Sequence, residues 1–173
     1  MSYEGQYAPK LVTATVGIPQ NPLLGNIVIP GLPNGLTFPV IVTGRAADAF
    51  FTKTATTDSV SLVSGAEGNN QLVHNHDASG NFTITLQHGS FYNRLLSIVF
   101  SAQKLIGSGQ LPPFTFPVVY RDSNSVPAET HEASHCLIMR NPDVSFGASL
   151  GTIAWAFVAT EIVSNFGNRI ADV

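Results

Sequence analysis

Only one stretch of this chain spaces its apolar residues for a helix, and this limits the architecture more than any other feature. Phe91, Leu95, Ile98, Val99, Ala102 and Ile106 follow the i, i+4, i+7, i+8 pattern of an amphipathic helix. Ser90 stands where an N-cap belongs, Lys104 suits the negative end of the helix dipole, and Gly107 is suited to stop the helix. A lone apolar stripe has no second helix to pack on. Burying each of its large side chains is worth about 1.5–3 kcal/mol, so the stripe must cover a sheet. The expected fold is mainly β, a β-sandwich or barrel with one packed α-helix over about 90–106.

The remaining segments supply that sheet. From Lys10 to Val16 the chain alternates, with Leu11, Thr13 and Thr15 on one side and Val12, Ala14 and Val16 on the other. The segments 38–43 and 59–63 are β-branched and strand-like. Asn81 to Gln87 alternates cleanly, placing Phe82, Ile84 and Leu86 on one face. Phe114 to Arg121 reads as a strand in which Pro117 marks an edge or a bulge, because proline cannot donate to a ladder. Leu137 to Arg140 is strand-like and ends at Asn141-Pro142. Gly151 to Thr160 directs Ile153, Trp155 and Phe157 one way and Ala154, Ala156 and Val158 the other.

Two segments stand outside this pattern. Gly17 to Pro39 is rich in Pro, Gly and Asn; it holds one apolar run, Ile27-Val28-Ile29, and Pro30 and Pro33 exclude a central strand there. Ser64 to Gly80 is polar, with Gly65, Gly68, Asn69, Asn70, Asn75, Asp77 and Gly80, and reads as a long exposed loop. Loops beyond ~12–15 residues are usually functional or mobile. No linker or internal repeat divides the chain. The expectation is a single domain over 1–173, with extended loops at about 17–39 and 64–80.

The chain has 173 residues, of which 44% are hydrophobic and only 11% charged. An average soluble protein has about 25% charged residues, and a monomer relies on them for solubility. Either the surface is polar without charge, or neighbouring subunits cover much of it. The net charge of −3 and the lack of a basic patch argue against a protein that grips DNA or RNA. Cys136 is the single cysteine, so no disulfide closes within the chain. Met1 to Gln6 has neither a basic start nor an apolar run, so a signal peptide is not expected. No apolar stretch reaches the ~18 residues a membrane-spanning helix needs. The acceptor-like triplet Asn81-Phe82-Thr83 reads as strand sequence.

Three groups of residues resemble chemical sites. His131-Glu132-Ala133-Ser134-His135 matches H-E-x-x-H, in which two histidines on one helical face bind zinc and the glutamate acts as general base. Glu161 would be the candidate third ligand. Pro127 leaves no room for such a helix to start, Glu129 adds a charge, and the following residues run to Asn141-Pro142. A solvated polar loop leading into a strand is the expected alternative. Gly147-Ala148-Ser149-Leu150-Gly151 matches the G-x-S-x-G elbow of serine hydrolases, which needs a helix after it and a later histidine. Here a strand pattern follows and no histidine lies beyond Ser149, so a Gly-rich hairpin turn is expected. His74-Asn75-His76 could present two imidazoles beside Asp77, without a further Cys or carboxylate pair. No catalytic, cofactor or metal residue is assigned, and the expectation is a structural subunit that is not an enzyme.

From Gly65 onward an ordered series of residues resembles the inner-tube, or tail tube, proteins of contractile-tailed bacteriophages. The series runs through Ser79-Gly80-Asn81-Phe82-Thr83-Ile84-Thr85-Leu86, then Ser90, Asn93 and Leu95 at the start of the helix. It continues with Phe116-Pro117-Val118 and Asp122, then Arg140, Pro142 and Phe146, and ends in Gly151-Thr152-Ile153-Ala154-Trp155-Ala156-Phe157 with Phe166-Gly167. The likeness covers roughly the last two thirds of the chain. The first third departs from it, since the Pro-rich segment 17–39 is longer than the pattern has. The resemblance implies a virion protein whose six copies form a ring, with strands shared in one barrel and rings stacked into a hollow tube. Implied partners are further copies of the chain, the tail sheath, baseplate and tail terminator proteins, and DNA passing through the lumen without sequence-specific contact. The implied location is the phage tail, and the host cytoplasm during assembly. Barrels of ~16–18 strands already hold a water-filled lumen, and closing the sheet removes edges prone to aggregation. DNA carries about one charge per 1.7 Å, so a lumen lined with Thr, Ser, Asn, Gln and some acid would let it pass. The 64–80 loop is expected to reach the adjacent ring.

Overall fold

Strand alternation sorts this chain into an inside and an outside. The computed structural model describes residues 12–21, 25–26, 29–31, 39–42, 50–64, 70–124, 126–144 and 151–166. In chain order these form strands β1 (Val12–Val16), β2 (Gln20–Asn21), β3 (Gly25–Asn26), β4 (Val40–Val42), β5 (Phe51–Ala55), β6 (Val60–Ser64), β7 (Asn70–His74) and β8 (Gly80–Gln87). Helix α1 (Phe91–Gly107) follows, then β9 (Phe116–Asp122), β10 (Glu129–Ile138), β11 (Thr152–Ala159) and β12 (Glu161–Asn165). The fold is mainly β with one helix, as its sequence pattern requires.

The large sheet runs β4-β1-β9-β10-β11-β8-β5, with β12 also on β10 and every pairing antiparallel. Strand β10 is where the sheet divides. Its first half pairs with β12, from Thr130↔Asn165 to Ser134↔Glu161, while Leu137 and Ile138 pair with β11. Between these halves the register on β9 shifts, from Ala133↔Val118 to Cys136↔Phe116, and His135 takes a positive φ of 50°. Such a bulge bends the strand and redirects it to a second layer. Pro117 lies opposite the extra residue, and its missing N–H explains why the ladder breaks there. It marks a bulge and not an edge, because β9 is flanked by β1 and β10. The Pro117 carbonyl accepts from Gly17 N–H at 2.7 Å, and a Cβ on Gly17 would strike the Pro117 ring.

Between the layers lies the core. Val12, Ala14 and Val16 of β1, Phe82, Ile84 and Leu86 of β8, and Ile153, Trp155 and Phe157 of β11 all face inward, as their alternation predicts. Phe157 stacks on Phe82 at 4.8 Å and meets Phe116 edge-on at 6.2 Å. Helix α1 covers this core with Leu95, Leu96, Val99 and Ala102, while Ile98 and Ile106 pack at its margin. Phe91, expected in the stripe, is largely exposed, and Leu96 is buried in its place. The Ser90 side chain caps the helix by accepting from Tyr92 N–H at 3.3 Å. Asn93 ties the first turn to the sheet. Its amide donates to the carbonyls of Gln87 (2.8 Å) and His88 (3.1 Å), and its carbonyl accepts from Trp155 Nε1 at 3.0 Å.

The structure corrects three sequence readings. Residues 64–80 are not all loop, because Asn70–His74 is strand β7, paired with β6 from Val60↔His74 to Ser64↔Asn70. Its polar and Asn-rich composition hides backbone groups that are satisfied across a hairpin. The His131–His135 segment is not a loop either and lies wholly within β10. Strands β5 and β12 were not anticipated. Most of segment 17–39, including Ile27 and Val28, lies outside the described residues; within it β2 and β3 pair as a short ribbon joined to the core by Gln20↔Thr115. Lys10, Leu11, Gly65, Gly68, Phe146, Gly147, Ser149 and Gly167 also lie outside the described residues.

Candidate assembly surface

Pairing places the β6–β7 hairpin beyond the core. Strands β5 and β8 pair from Phe51↔Ile84 to Ala55↔Gly80, and β6 and β7 resume at Val60↔His74. Two backbone bonds bridge the gap, Thr56 N–H to Ser79 O at 3.1 Å and Asn75 N–H to Ser59 O at 2.8 Å. The two hairpins are therefore one long ribbon whose outer half projects from the body. Directly opposed residues share a face in an antiparallel pair. Val60, Leu62 and Leu72 thus share one face, and Val63 and Val73 the other. All five are exposed, from 45% for Val60 and Val73 to 66% for Leu72. Neither strand contains Asp, Glu, Lys or Arg. A free two-stranded hairpin is at best marginally stable in water, and apolar residues on both faces leave no solvated side.

A second surface is the outer face of the β5-β8-β11 layer. Thr52 and Thr54 lie beside Thr83 and Asn81, which in turn lie beside Ala156 and Val158; Thr85 pairs with Ala154 and Gln87 with Thr152. These residues alternate with the buried ones, so they face away from the core. The face carries no charge. On the other layer the outer face carries Arg121, Glu132 and Glu161, with exposed Ile41 and Val163 among them.

The motif residues do not converge. His131 is buried at 6% exposure, its Nδ1 2.9 Å from Ser164 Oγ and its Nε2 2.9 Å from Glu129 Oε1. Its ring stacks on Phe51 at 5.8 Å, lies 5.6 Å from Tyr120, and meets Phe166 edge-on at 5.4 Å. Glu132, next along the strand, points to the opposite, exposed face. His135 is also exposed, its Nδ1 3.2 Å from Thr115 Oγ1. On a helix His131 and His135 would share a face, but on this strand the bulge separates them. Glu161 opens β12 opposite Ser134 and is exposed. His131 is thus a structural residue of the aromatic cluster that seats β12. Burial pushes the Cys136 thiol up to about 12, so it stays protonated and unreactive. Ser149 lies outside the described residues, and Gly151 leads directly into strand β11.

His74 ends β7, and the residues after it serve the chain's own backbone. Asn75 Oδ1 accepts from Asp77 N–H at 3.0 Å, Asp77 Oδ1 from Ser79 N–H at 2.9 Å, and Asp77 Oδ2 from the Thr57 hydroxyl at 3.0 Å. These bonds hold Asp77 below its ordinary pKa; the Ser79 backbone N–H contributes most, then the hydroxyls of Ser79 and Thr57. Among the described residues no three His, Cys, Asp or Glu side chains are grouped to hold a metal ion, and no helix is long and apolar enough to cross a membrane. Sequence reading places Asp77 only in a polar loop beside two histidines, and it misses the apolar pair Leu72-Val73, whose only signal is two apolar residues within a polar run, downstream of Val60, Leu62 and Val63.

In overall structure the chain is similar to one from the extended sheath–tube complex of PVC, an extracellular contractile injection system, with 12% identity, a TM-score of 0.46, and coverage of 95% of this chain and 94% of that one. It is also similar to a chain from the tube-terminating cap of the anti-feeding prophage, at 10% identity and TM-score 0.46 over 92% and 91% of the two chains. A chain from the six-fold symmetrised baseplate of the anti-feeding prophage matches at 13% identity and TM-score 0.43, over 89% and 91%. No family model and no curated protein matches the chain.

Proposed function

We propose that this chain is a structural subunit that assembles with copies of itself, as the inner tube of a contractile phage tail. The observation that carries the reading is the projecting β6–β7 hairpin, with five large apolar side chains exposed on two faces and no charged residue in either strand. A monomer with such a ribbon would be prone to aggregate, whereas an assembly would bury it between subunits. Two further features support the reading. Among the described residues strands β4 and β5 end the large sheet, and another strand could add to their outer edges. The charge-free face of β5-β8-β11 is suited to a lumen through which DNA slides, since it offers no cation to hold phosphates.

In this reading six subunits close a ring, rings stack through the hairpin, and the tube meets sheath, baseplate and terminator proteins. DNA passes during ejection without chemistry. The test is negative-stain microscopy with sedimentation over a concentration series. Wild-type protein forms rings or tubes, and the double variant Leu62→Ser with Leu72→Ser remains folded but loses stacking. A monodisperse wild-type monomer at high concentration would favour a β-sandwich binding module and overturn the proposal.

A further inference from the structure

The ribbon that carries the apolar hairpin is not continuous. Between the pairs Ala55↔Gly80 and Val60↔His74, residues 56–59 lie opposite 75–79, one residue more on the second strand. An unequal count of this kind bends a ribbon and interrupts its ladder. The bend is also poorly packed. Residues 56–59 and 75–78 are exposed, and open cavities of about 290 and 570 Å³ flank it. One backbone bond, from Ile162 N–H to the Ala78 carbonyl at 2.8 Å, ties the second strand of the bend to β12, but no buried side chain crosses between its two strands. Asp77 instead spans the bend, with one carboxylate oxygen on Ser79 N–H of its own strand and the other on the Thr57 hydroxyl of the opposite strand. Asn75 holds the Asp77 backbone in turn.

We propose that residues 56–59 and 75–79 form a joint, and that Asp77 is the latch that fixes the hairpin's projection before another subunit meets it. Asp77 is a positioning residue that need not touch the neighbouring subunit. The proposal rests on the assembly reading above for its purpose, but its geometry lies within one chain. The titratable groups near the latch are Lys53 of β5 and His76 on the first cavity and Asp58 and His74 on the second; β12 contributes only Ile162. An unlatched hairpin would sample many angles, and each encounter with a neighbour would bear the cost of ordering it.

The experiment compares wild type, Asp77→Ala and Asp77→Asn as full chains, by hydrogen exchange and by microscopy. In Asp77→Ala, exchange rises several-fold across 56–59, 60–64 and 70–79, while segment 81–87 stays as protected as in wild type. Asp77→Asn keeps an acceptor for Ser79 N–H and falls between the two. If wild type assembles, Asp77→Ala forms tubes more slowly and with irregular spacing. Unchanged exchange at the joint in Asp77→Ala overturns the latch even where wild-type tubes form. Altered exchange in a chain that never assembles upholds the latch and overturns the assembly reading instead.

Discussion

Replacing Asn93 by alanine tests how the helix is fastened to the sheet. The side chain makes three hydrogen bonds, to the carbonyls of Gln87 and His88 and from the indole N–H of Trp155. Gln87 is exposed and His88 half-buried, so water replaces the lost donors at small cost. Trp155 differs, being 2% exposed, and its N–H would be left without an acceptor. An orphaned buried donor costs about 1–3 kcal/mol. Alanine's better helix propensity offsets at most about 0.7 kcal/mol. The expected loss is about 1–2 kcal/mol, or a Tm lower by ~2–8 °C for a chain of this size. Urea unfolding should be run below the concentration at which subunits associate, because association itself stabilises. The midpoint should fall with the slope unchanged. In the double variant with Trp155→Phe the cost of Asn93→Ala should shrink by about 1 kcal/mol, since no donor remains to be orphaned. If Asn93→Ala lies within about 0.5 kcal/mol of wild type, the Asn93–Trp155 bond does not fasten the helix.

Leu96→Asp, at a fully buried position, should abolish cooperative unfolding, whereas Ser97→Asp on the exposed face should shift stability by no more than about 0.5 kcal/mol. Gly17→Ala drives a methyl into the Pro117 ring and should lower stability by about 1–3 kcal/mol in thermal melts; an unchanged melt would show that the two segments separate freely. His131→Ala removes two hydrogen bonds and the stacking that seats β12, and should cost about 1–3 kcal/mol, while Glu132→Ala is near neutral. Stoichiometric zinc abolished by either substitution would contradict this account. The Asp77 carboxyl is held below its ordinary pKa, so its latch is complete above the free-carboxyl value and is lost as pH falls through the lowered one. Protection at the joint, taken as exchange relative to the intrinsic rate at each pH, should therefore be constant near neutrality and fall only on strong acidification.

Periodicity made the inner layer legible before any coordinates. Phe82, Ile84 and Leu86, like Ile153, Trp155 and Phe157, alternate because each strand has one dry face, and that asymmetry is written in the residues themselves. The helix was legible for the same reason, although Phe91 fell outside the buried stripe and Leu96 inside it. Strands β5, β7 and β12 were not legible. Their residues are mostly exposed and their strand form depends on a partner, so the sequence carries no burial pattern to read. The corner in β10 was hidden likewise. Only Pro117 hinted at it, from the neighbouring strand, and without the bulge His131 and His135 could not be assigned to different surroundings.

The placement of charge connects the composition to the proposed role. A sheet protein that lives as a monomer protects exposed strands with lysines or inward charges, because an unguarded edge recruits other chains. Here Arg121, Glu132 and Glu161 guard the β9-β10-β12 face, and Arg94 and Lys104 lie on the exposed side of the helix. Among the described residues, strands β6 and β7 and the outer face of β5-β8-β11 carry none. A low charge content spread evenly would suggest only a polar coat. Charge absent from the two strands of one hairpin and from one face, yet present elsewhere, is what burial and a neutral channel would each require. Introducing a single cation distinguishes the two surfaces. Leu72→Lys places a charge where a neighbour's apolar surface would pack and should halt stacking in vitro. Thr83→Lys, half-buried on the neutral face, should leave tubes intact but make them retain duplex DNA in a salt-dependent way. Tubes of Thr83→Lys that bind no more DNA than wild type would mean that this face does not line the channel, and the lumen would have to be sought on the other layer.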